Sequence, residues 1–288
     1  HWMAQQVPTP AAKTEPVNPA RHHRHHERYS MILDIDVQLE YQMSGPTDMI
    51  LQVQAPDFAD QRVVSESFEL SETQHRATIA GEAGMGERVL IRTNGNLRCD
   101  YKARFDVDRP ALRIEEFKSV PPHKLPSDAV RYLMPSRYCP SDQLQSFVAA
   151  EYGNLSGGYL IATLRDWIYE RFQYVPGSSN GQTTALDTFV QRQGVCRDFA
   201  HVMIALARAA AIPARFVSVY APYVTPQDFH AVAEVFLDGT WHLVDATGMA
   251  AANQIVRIGV GLDAAEVPFL SSFGPAMLLS QSVDVRVV

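Results

Sequence analysis

The chain has 288 residues, of which 46% are hydrophobic and 20% charged, and its formal net charge at pH 7 is −7. A chain of this length buries one large core or, more commonly, two smaller ones. The acidic balance, with no basic stripe, argues against nucleic acid as a partner, and no apolar run is long enough to predict a membrane-spanning helix.

Residues 1–29 are polar and proline-rich and include the cluster Arg-His-His-Arg-His-His at 21–26. Such a composition cannot bury a core, so we predict a disordered tail, whose histidines could bind a metal only opportunistically. The tail lacks the apolar central region of a signal peptide. The chain has three cysteines, an odd number whose spacing fits neither a disulfide framework nor a zinc site. We therefore expect a cytoplasmic protein without a metal or a cofactor, and its oligomeric state stays open.

Short alternating runs separated by glycine-rich turns fill residues 30–118, which predicts an all-β domain, either a sandwich or an open barrel. The proline-rich residues 119–126 are typical of a linker. From 127 to 288 the pattern changes to several helices followed by strands. Helices are predicted from Ser141, over 159–172 and over 184–190, and strands over 215–220 and 255–262. This order predicts an α+β domain.

Cys196 lies at the start of an apolar helix that ends before Pro213. The unpaired N–H groups and the positive end of the helix dipole favour an anion at this position, and the thiolate is the form of cysteine that attacks. A free cysteine is, however, often only a small buried hydrophobic residue.

A second segment, residues 230–245, reads as a β-hairpin with a two-residue Asp-Gly turn at 238–239. In this register Leu237 faces Thr240, and His230 shares a face with Asp245 as its diagonal neighbour, roughly 7 to 8 Å away between backbones. A three-residue turn would place Asp245 on the opposite face. The sequence therefore predicts a nucleophile, base and acid in the order Cys196, His230 and Asp245.

Four stretches resemble the bacterial transglutaminase-like superfamily: Gly-Val-Cys-Arg-Asp-Phe-Ala-His at 194–201, Ala-Ile-Pro-Ala-Arg at 211–215, His-Ala-x-x-Glu-Val at 230–235 and Trp-x-x-x-Asp-Ala-Thr at 241–247. The resemblance implies a papain-like core, with helices packed on an antiparallel sheet, after an all-β sandwich-like domain. It also implies Cys196 as nucleophile, His230 as general base and Asp245 as orienting acid. Val232 and Ala246 depart from the common aromatic and proline, and neither change removes a catalytic group.

Acyl chemistry also needs donors for the oxyanion. The backbone N–H of Cys196 is one. Three side chains are open alternatives for a second donor: Gln191 and Gln193 lie just before the nucleophile, and the resemblance also favours the phenol of Tyr174.

These features predict a cysteine hydrolase, a peptidase or amidase that acts on a peptide or protein substrate through an acyl-enzyme. Amine transfer of the transglutaminase type is the alternative within enzymes. Two other classes stay open. One is a catalytically inactive binding module, and the other is a metal enzyme that uses Cys196, His201 and His230, although His201 lies off the helical face that matches Cys196.

Overall fold

The computed structural model describes residues 30–288, so the tail predicted at residues 1–29 lies outside the described residues. The helices and strands of the described part follow in chain order: β1 Ser30–Met43, β2 Thr47–Leu51, β3 Gln61–Leu70, β4 His75–Ala80, β5 Glu87–Thr93, β6 Asn96–Asp108, α1 Ser127–Val130, α2 Gln145–Tyr152, α3 Gly157–Arg171, β7 Gln173–Tyr174, α4 Ala185–Gln191, β8 Gln193–Gly194, α5 Cys196–Ala209, β9 Ala214–Tyr220, β10 His230–Leu237, β11 Thr240–Val244, β12 Val256–Gly261, β13 Leu270–Ser272 and β14 Ala276–Val287. None of these helices is both long enough and apolar enough to span a bilayer.

The first domain consists of two four-stranded antiparallel sheets, with the strand orders β14-β1-β6-β3 and β13-β2-β5-β4. Along β1, Leu33, Ile35 and Val37 are buried in a core shared by both sheets, because successive side chains of a strand point to opposite faces. The predicted sandwich-like domain is therefore confirmed.

The predicted end of this domain at residue 118 needs a correction. The strands β13 and β14 were assigned to the second domain, but they pair with β2 and β1 of the sandwich. The sequence of β14 carries no information about which sheet the strand joins. The second domain is therefore inserted between strands of the first, and the sandwich is completed by residues 270–287.

The second domain is built around helix α5, which packs on strands β9 and β10 and is covered by α3 and α4. Its sheet is antiparallel with the order β11-β10-β9-β12, which confirms the α+β class. The predicted helices at 159–172 and 184–190 correspond to α3 and α4, and Thr184 caps α4 by accepting a hydrogen bond from the Asp187 N–H.

A buried ion-pair network joins the two domains. Glu234 of strand β10 is fully buried and accepts hydrogen bonds from Arg215 and Arg257. Arg257 also pairs with Asp60 in the first domain, and Asp60 pairs with Arg109. Because Glu234 lies on the strand that begins at His230, the network ties this strand to the sandwich.

We expect Glu234→Ala to lower the free energy of unfolding by about 3–5 kcal/mol, because Arg215 stays buried without its counter-charge and Arg257 keeps only Asp60. Urea denaturation followed by tryptophan fluorescence measures this change. Asp100→Ala is the control, since it removes an exposed ion pair with Arg98 and should leave the midpoint unchanged. Equal midpoints for the Glu234 variant and the wild type would contradict the prediction.

Candidate active site

Cys196 is the first residue of helix α5, as the sequence predicted, and its side chain is partly exposed. The other two cysteines, Cys99 and Cys139, are buried, and burial raises the pKa of each thiol to about 12. Cys196 is therefore the thiol that solvent and a substrate can reach.

The start of helix α5 is shaped by Asp198, a residue that the sequence analysis did not select. Its buried carboxylate accepts hydrogen bonds from the Val195 N–H, at 2.9 Å, and from the Ser179 hydroxyl. A Cβ atom on Gly194 would lie 2.6 Å from the Asp198 Cβ, so only glycine fits at that position. An acid three residues after the N-cap is a known signal for a carboxylate that reaches back to the N-cap N–H, and this signal could have identified Asp198.

The hairpin has the register that the sequence predicted. Leu237 faces Thr240, and the ladder continues to Ala233 facing Val244. Asp238 and Gly239 both have positive φ, 46° and 84°, as a tight two-residue hairpin turn of the primed type requires. This register brings the side chains of His230 and Asp245, the first and last residues of the segment, to the same face of the hairpin.

On that face, His230 Nε2 lies 2.9 Å from Asp245 Oδ2, and both side chains are almost completely buried. The carboxylate also accepts hydrogen bonds from the Thr247 N–H and hydroxyl and from the Ala250 N–H. Burial would raise the pKa of Asp245, but the hydrogen bonds from His230 and Thr247 and the charge of His230 outweigh it and lower the pKa. Asp245 is therefore held as an anion, which accepts the Nε2 proton of His230.

The remaining ring nitrogen of His230, Nδ1, is buried and makes no hydrogen bond of ordinary length and angle with residues 30–288. The thiol of Cys196 interacts with the same ring. Burial alone would lower the pKa of His230, but its interactions with Asp245 and Cys196 outweigh burial and raise the pKa to about 10. Nδ1 is thus left to exchange a proton with Cys196, through a contact that is looser than a full hydrogen bond, as is common in enzymes without bound substrate.

Among the three alternatives for an oxyanion donor, Tyr174 is the one that contacts Cys196. The short strands β7 and β8 are parallel, and their register places Tyr174 opposite Gly194. The phenol interacts with both the backbone N–H and the thiol of Cys196. Burial is the main cause of the raised pKa of Tyr174, and the charge of Cys196 adds to it, so the phenol keeps its proton at neutral pH.

The two glutamines are placed differently. Gln191 is exposed at the end of α4, and Gln193 lies in β8 opposite Gln173. Neither side chain makes a hydrogen bond to Cys196 within the described part of the chain.

His201 is not brought to Cys196 and His230. Its Nε2 accepts a hydrogen bond from the Ala264 N–H, and its ring stacks on Tyr138. Between residues 30 and 288, no group of three or more His, Cys, Asp and Glu side chains is placed to hold a metal ion.

A family model described as the transglutaminase-like superfamily matches residues 145–246, a segment that contains Cys196, His230 and Asp245. A solved structure from Cytophaga hutchinsonii, a candidate cysteine protease, is 35% identical to this chain, with a TM-score of 0.84, and the match covers 90% of this chain and 91% of that one. The chain belongs to the transglutaminase-like superfamily. The match to the solved structure covers both the sandwich and the α+β domain of this chain.

Two mycobacterial relatives match shorter segments. The uncharacterized protein ML0607 of Mycobacterium leprae is 29% identical over 112 residues, which is 35% of this chain and 39% of the relative. The uncharacterized protein Rv2569c of Mycobacterium tuberculosis is 32% identical over 146 residues, or 44% of this chain and 46% of the relative. The match therefore spans less than half the length of these curated relatives.

The raised pKa of His230 predicts that its ring is protonated at neutral pH and loses the proton only near pH 10. Replacing Asp245 by Asn removes a charge that stabilises the imidazolium, so the pKa should fall toward the usual value of about 6.5. NMR of isotope-labelled histidine measures both titrations, with His230→Gln used to assign the signal. His201, whose pKa burial lowers to about 3, should stay neutral in both proteins. A wild-type His230 that titrates near pH 6.5 would refute this prediction.

Proposed function

We propose that this protein is a cysteine hydrolase that cleaves an amide bond of a peptide or protein through an acyl-enzyme on Cys196. The observation that carries the proposal is the partly exposed thiol at the start of α5, next to a buried His230 that is hydrogen-bonded to Asp245. The similarity to a candidate cysteine protease over 90% of the chain supports the same reaction class.

In the first half of the proposed reaction, Cys196 is already a thiolate, paired with the His230 imidazolium that holds the former thiol proton on Nδ1, and this thiolate attacks the carbonyl carbon of the substrate. A sulfur–carbon bond forms, and the carbonyl oxygen becomes an oxyanion. When this intermediate collapses, the carbon–nitrogen bond breaks and Nδ1 gives its proton to the departing amine, which leaves a thioester on Cys196. Asp245 stabilises the imidazolium throughout and keeps its own charge.

In the second half, a water molecule attacks the thioester and gives one proton to Nδ1 of His230. The carbon–sulfur bond then breaks, the carboxylic acid product leaves, and the thiolate and imidazolium are regenerated. Hydrolysis needs only water as acceptor. Transfer to an amine would use the same thioester, with an amine in place of the water.

The oxyanion is stabilised by the backbone N–H of Cys196 and by the phenol of Tyr174. In the absence of substrate these two groups interact with each other. A carbonyl oxygen that enters between them would accept a hydrogen bond from both. Because the phenol keeps its proton, it can act as a donor.

Iodoacetamide at neutral pH should alkylate Cys196 much faster than Cys99 and Cys139, because those two thiols are buried. His230→Ala should slow the alkylation of Cys196 by at least about tenfold, since the base that generates the thiolate is missing. Peptide mass spectrometry measures the rate at each cysteine separately. His201→Gln is a matched control, because it changes a histidine of the same domain that has no contact with the site. Equal rates at Cys196 in wild type and His230→Ala would remove the nucleophile from the proposal.

Tyr174→Phe should lower the rate at which p-nitrophenyl acetate acylates Cys196 by about 10²-fold, the usual cost of losing one oxyanion donor. In this variant, the rate at which iodoacetamide alkylates Cys196 should change little, because that reaction passes through no oxyanion. Gln191→Ala and Gln193→Ala are the matched controls and should acylate at the wild-type rate. Loss of acylation in a glutamine variant, with Tyr174→Phe unaffected, would assign the donor to that glutamine instead.

Peptide cleavage itself is tested with a mixture of cellular peptides, in which mass spectrometry detects new termini. Cys196→Ala should produce none of them. If an added amine becomes attached to glutamine side chains and no new termini appear, the reaction is transfer rather than hydrolysis.

A further inference from the structure

A carboxylate that the mechanism does not use lies on the loop that leads to the proposed base. Asp228 is two residues before His230 in the loop that leads into strand β10. We propose that Asp228 binds a positively charged group of the substrate next to Cys196, a proposal that rests on the acyl-enzyme chemistry proposed above. The substrate class is then an amide whose acyl part or amine part carries an ammonium or guanidinium group.

Asp228 lies at the junction of the two domains, because Gln281 of sandwich strand β14 donates a hydrogen bond to it and His230 of the second domain follows two residues later. Burial is the main cause of the raised pKa of Tyr174, and the charges of Cys196 and Asp228 contribute to it. Burial and the charge of Asp228 likewise raise the pKa of Tyr41 in strand β1. The charge of Asp228 therefore acts both on the tyrosine that contacts Cys196 and on a tyrosine of the sandwich.

The side chain of Asp228 is held through one of its two oxygens. Oδ1 of Asp228 accepts hydrogen bonds from the Phe229 N–H, at 2.7 Å, and from Nε2 of Gln281, at 2.6 Å. For Oδ2 there is no hydrogen-bond donor within residues 30–288. The neighbouring Gln227 accepts a hydrogen bond from the Val285 N–H, so strand β14 holds this loop at two points. One oxygen is thus fixed by the protein and the other is free for a ligand.

Asp228 also differs in charge balance from the other acids of the site. The other acids of the site have cationic partners: Asp198 pairs with Arg197, and Asp245 with His230. Asp228 forms no ion pair with any described residue, although it is half-buried. An unpaired negative charge at this position opposes the thiolate and the oxyanion that the reaction needs. A cation of the substrate would neutralise it, so binding the correct substrate would also favour the chemistry.

The test uses thiol reagents of opposite charge. The rate at which Cys196 reacts with trimethylammonioethyl methanethiosulfonate is divided by its rate with sulfonatoethyl methanethiosulfonate. In Asp228→Asn, at low ionic strength, this ratio should fall by about fourfold or more, since a unit charge that lies within a Debye length of the thiol changes the two rates in opposite directions. Asp228→Lys should lower the ratio further. Asn retains an oxygen that accepts from Phe229 and Gln281, so the loop should keep its conformation.

Glu72→Gln is the matched control, because it removes the same charge from an exposed residue that follows β3, at the opposite edge of the sheet from β14. An unchanged ratio in Asp228→Asn, or an equal fall in Glu72→Gln, would overturn the proposal. The dependence of iodoacetamide alkylation on His230 is measured separately. If alkylation of Cys196 does not depend on His230, the proposed reaction is refuted. If the ratio of the two methanethiosulfonate rates still falls in Asp228→Asn, the proposed cation site is supported all the same.

Two pairs of substrates then locate the cation. Nα-blocked lysine p-nitrophenyl ester is compared with its norleucine counterpart, and cadaverine is compared with pentylamine as acceptor of the acyl group. Each pair differs by one ammonium group. A preference for the lysine ester that is lost in Asp228→Asn assigns the cation to the acyl part, and a lost preference for cadaverine assigns it to the amine part. The absence of both preferences in the wild type would contradict a substrate role for Asp228.

Discussion

The hydrogen bond between His230 and Asp245 is the interaction on which the proposed chemistry depends. It is buried, so water does not compete for either partner, and it assigns one ring nitrogen to the acid and the other to the thiol. The bond exists only in one hairpin register. A slip of one residue would turn Asp245 to the other side of the sheet, and the two-residue turn at Asp238 and Gly239 prevents this slip through its positive φ angles.

Two aspartates beside the same histidine have opposite environments. Asp245 is surrounded by donors, and both of its oxygens accept hydrogen bonds, from His230, Thr247 and Ala250. Asp228 is bound through one oxygen only, by groups that include a side chain of the sandwich. The carboxylate of Asp245 is occupied by groups of the protein, whereas one oxygen of Asp228 is free to bind a substrate. The difference arises from the number of N–H and O–H groups around each carboxylate and not from its residue type.

The triad could be predicted from the sequence because each of its constraints is local. A helix start, an Asp-Gly turn and the two-residue alternation of side chains along a strand are sufficient to predict that Cys196, His230 and Asp245 belong to one site. The choice of Tyr174 could not be made in this way, because it depends on a parallel pairing of only two residues in each strand. The end of the first domain was predicted wrongly for a related reason. The alternation of β14 is compatible with either sheet, and its partner strand β1 lies at the other end of the described chain.

Strand β14 also has a consequence for the order of assembly. Because β14 is an edge strand and pairs with β1, the first sheet cannot be completed until the whole second domain has been synthesised. Gln281 and Val285 of this strand donate hydrogen bonds to the loop before His230. The side chain of Asp228 is therefore held in place only after β14 has joined its sheet. During synthesis, the interactions of His230 and Asp245, which lie within the second domain, can form before those of Asp228.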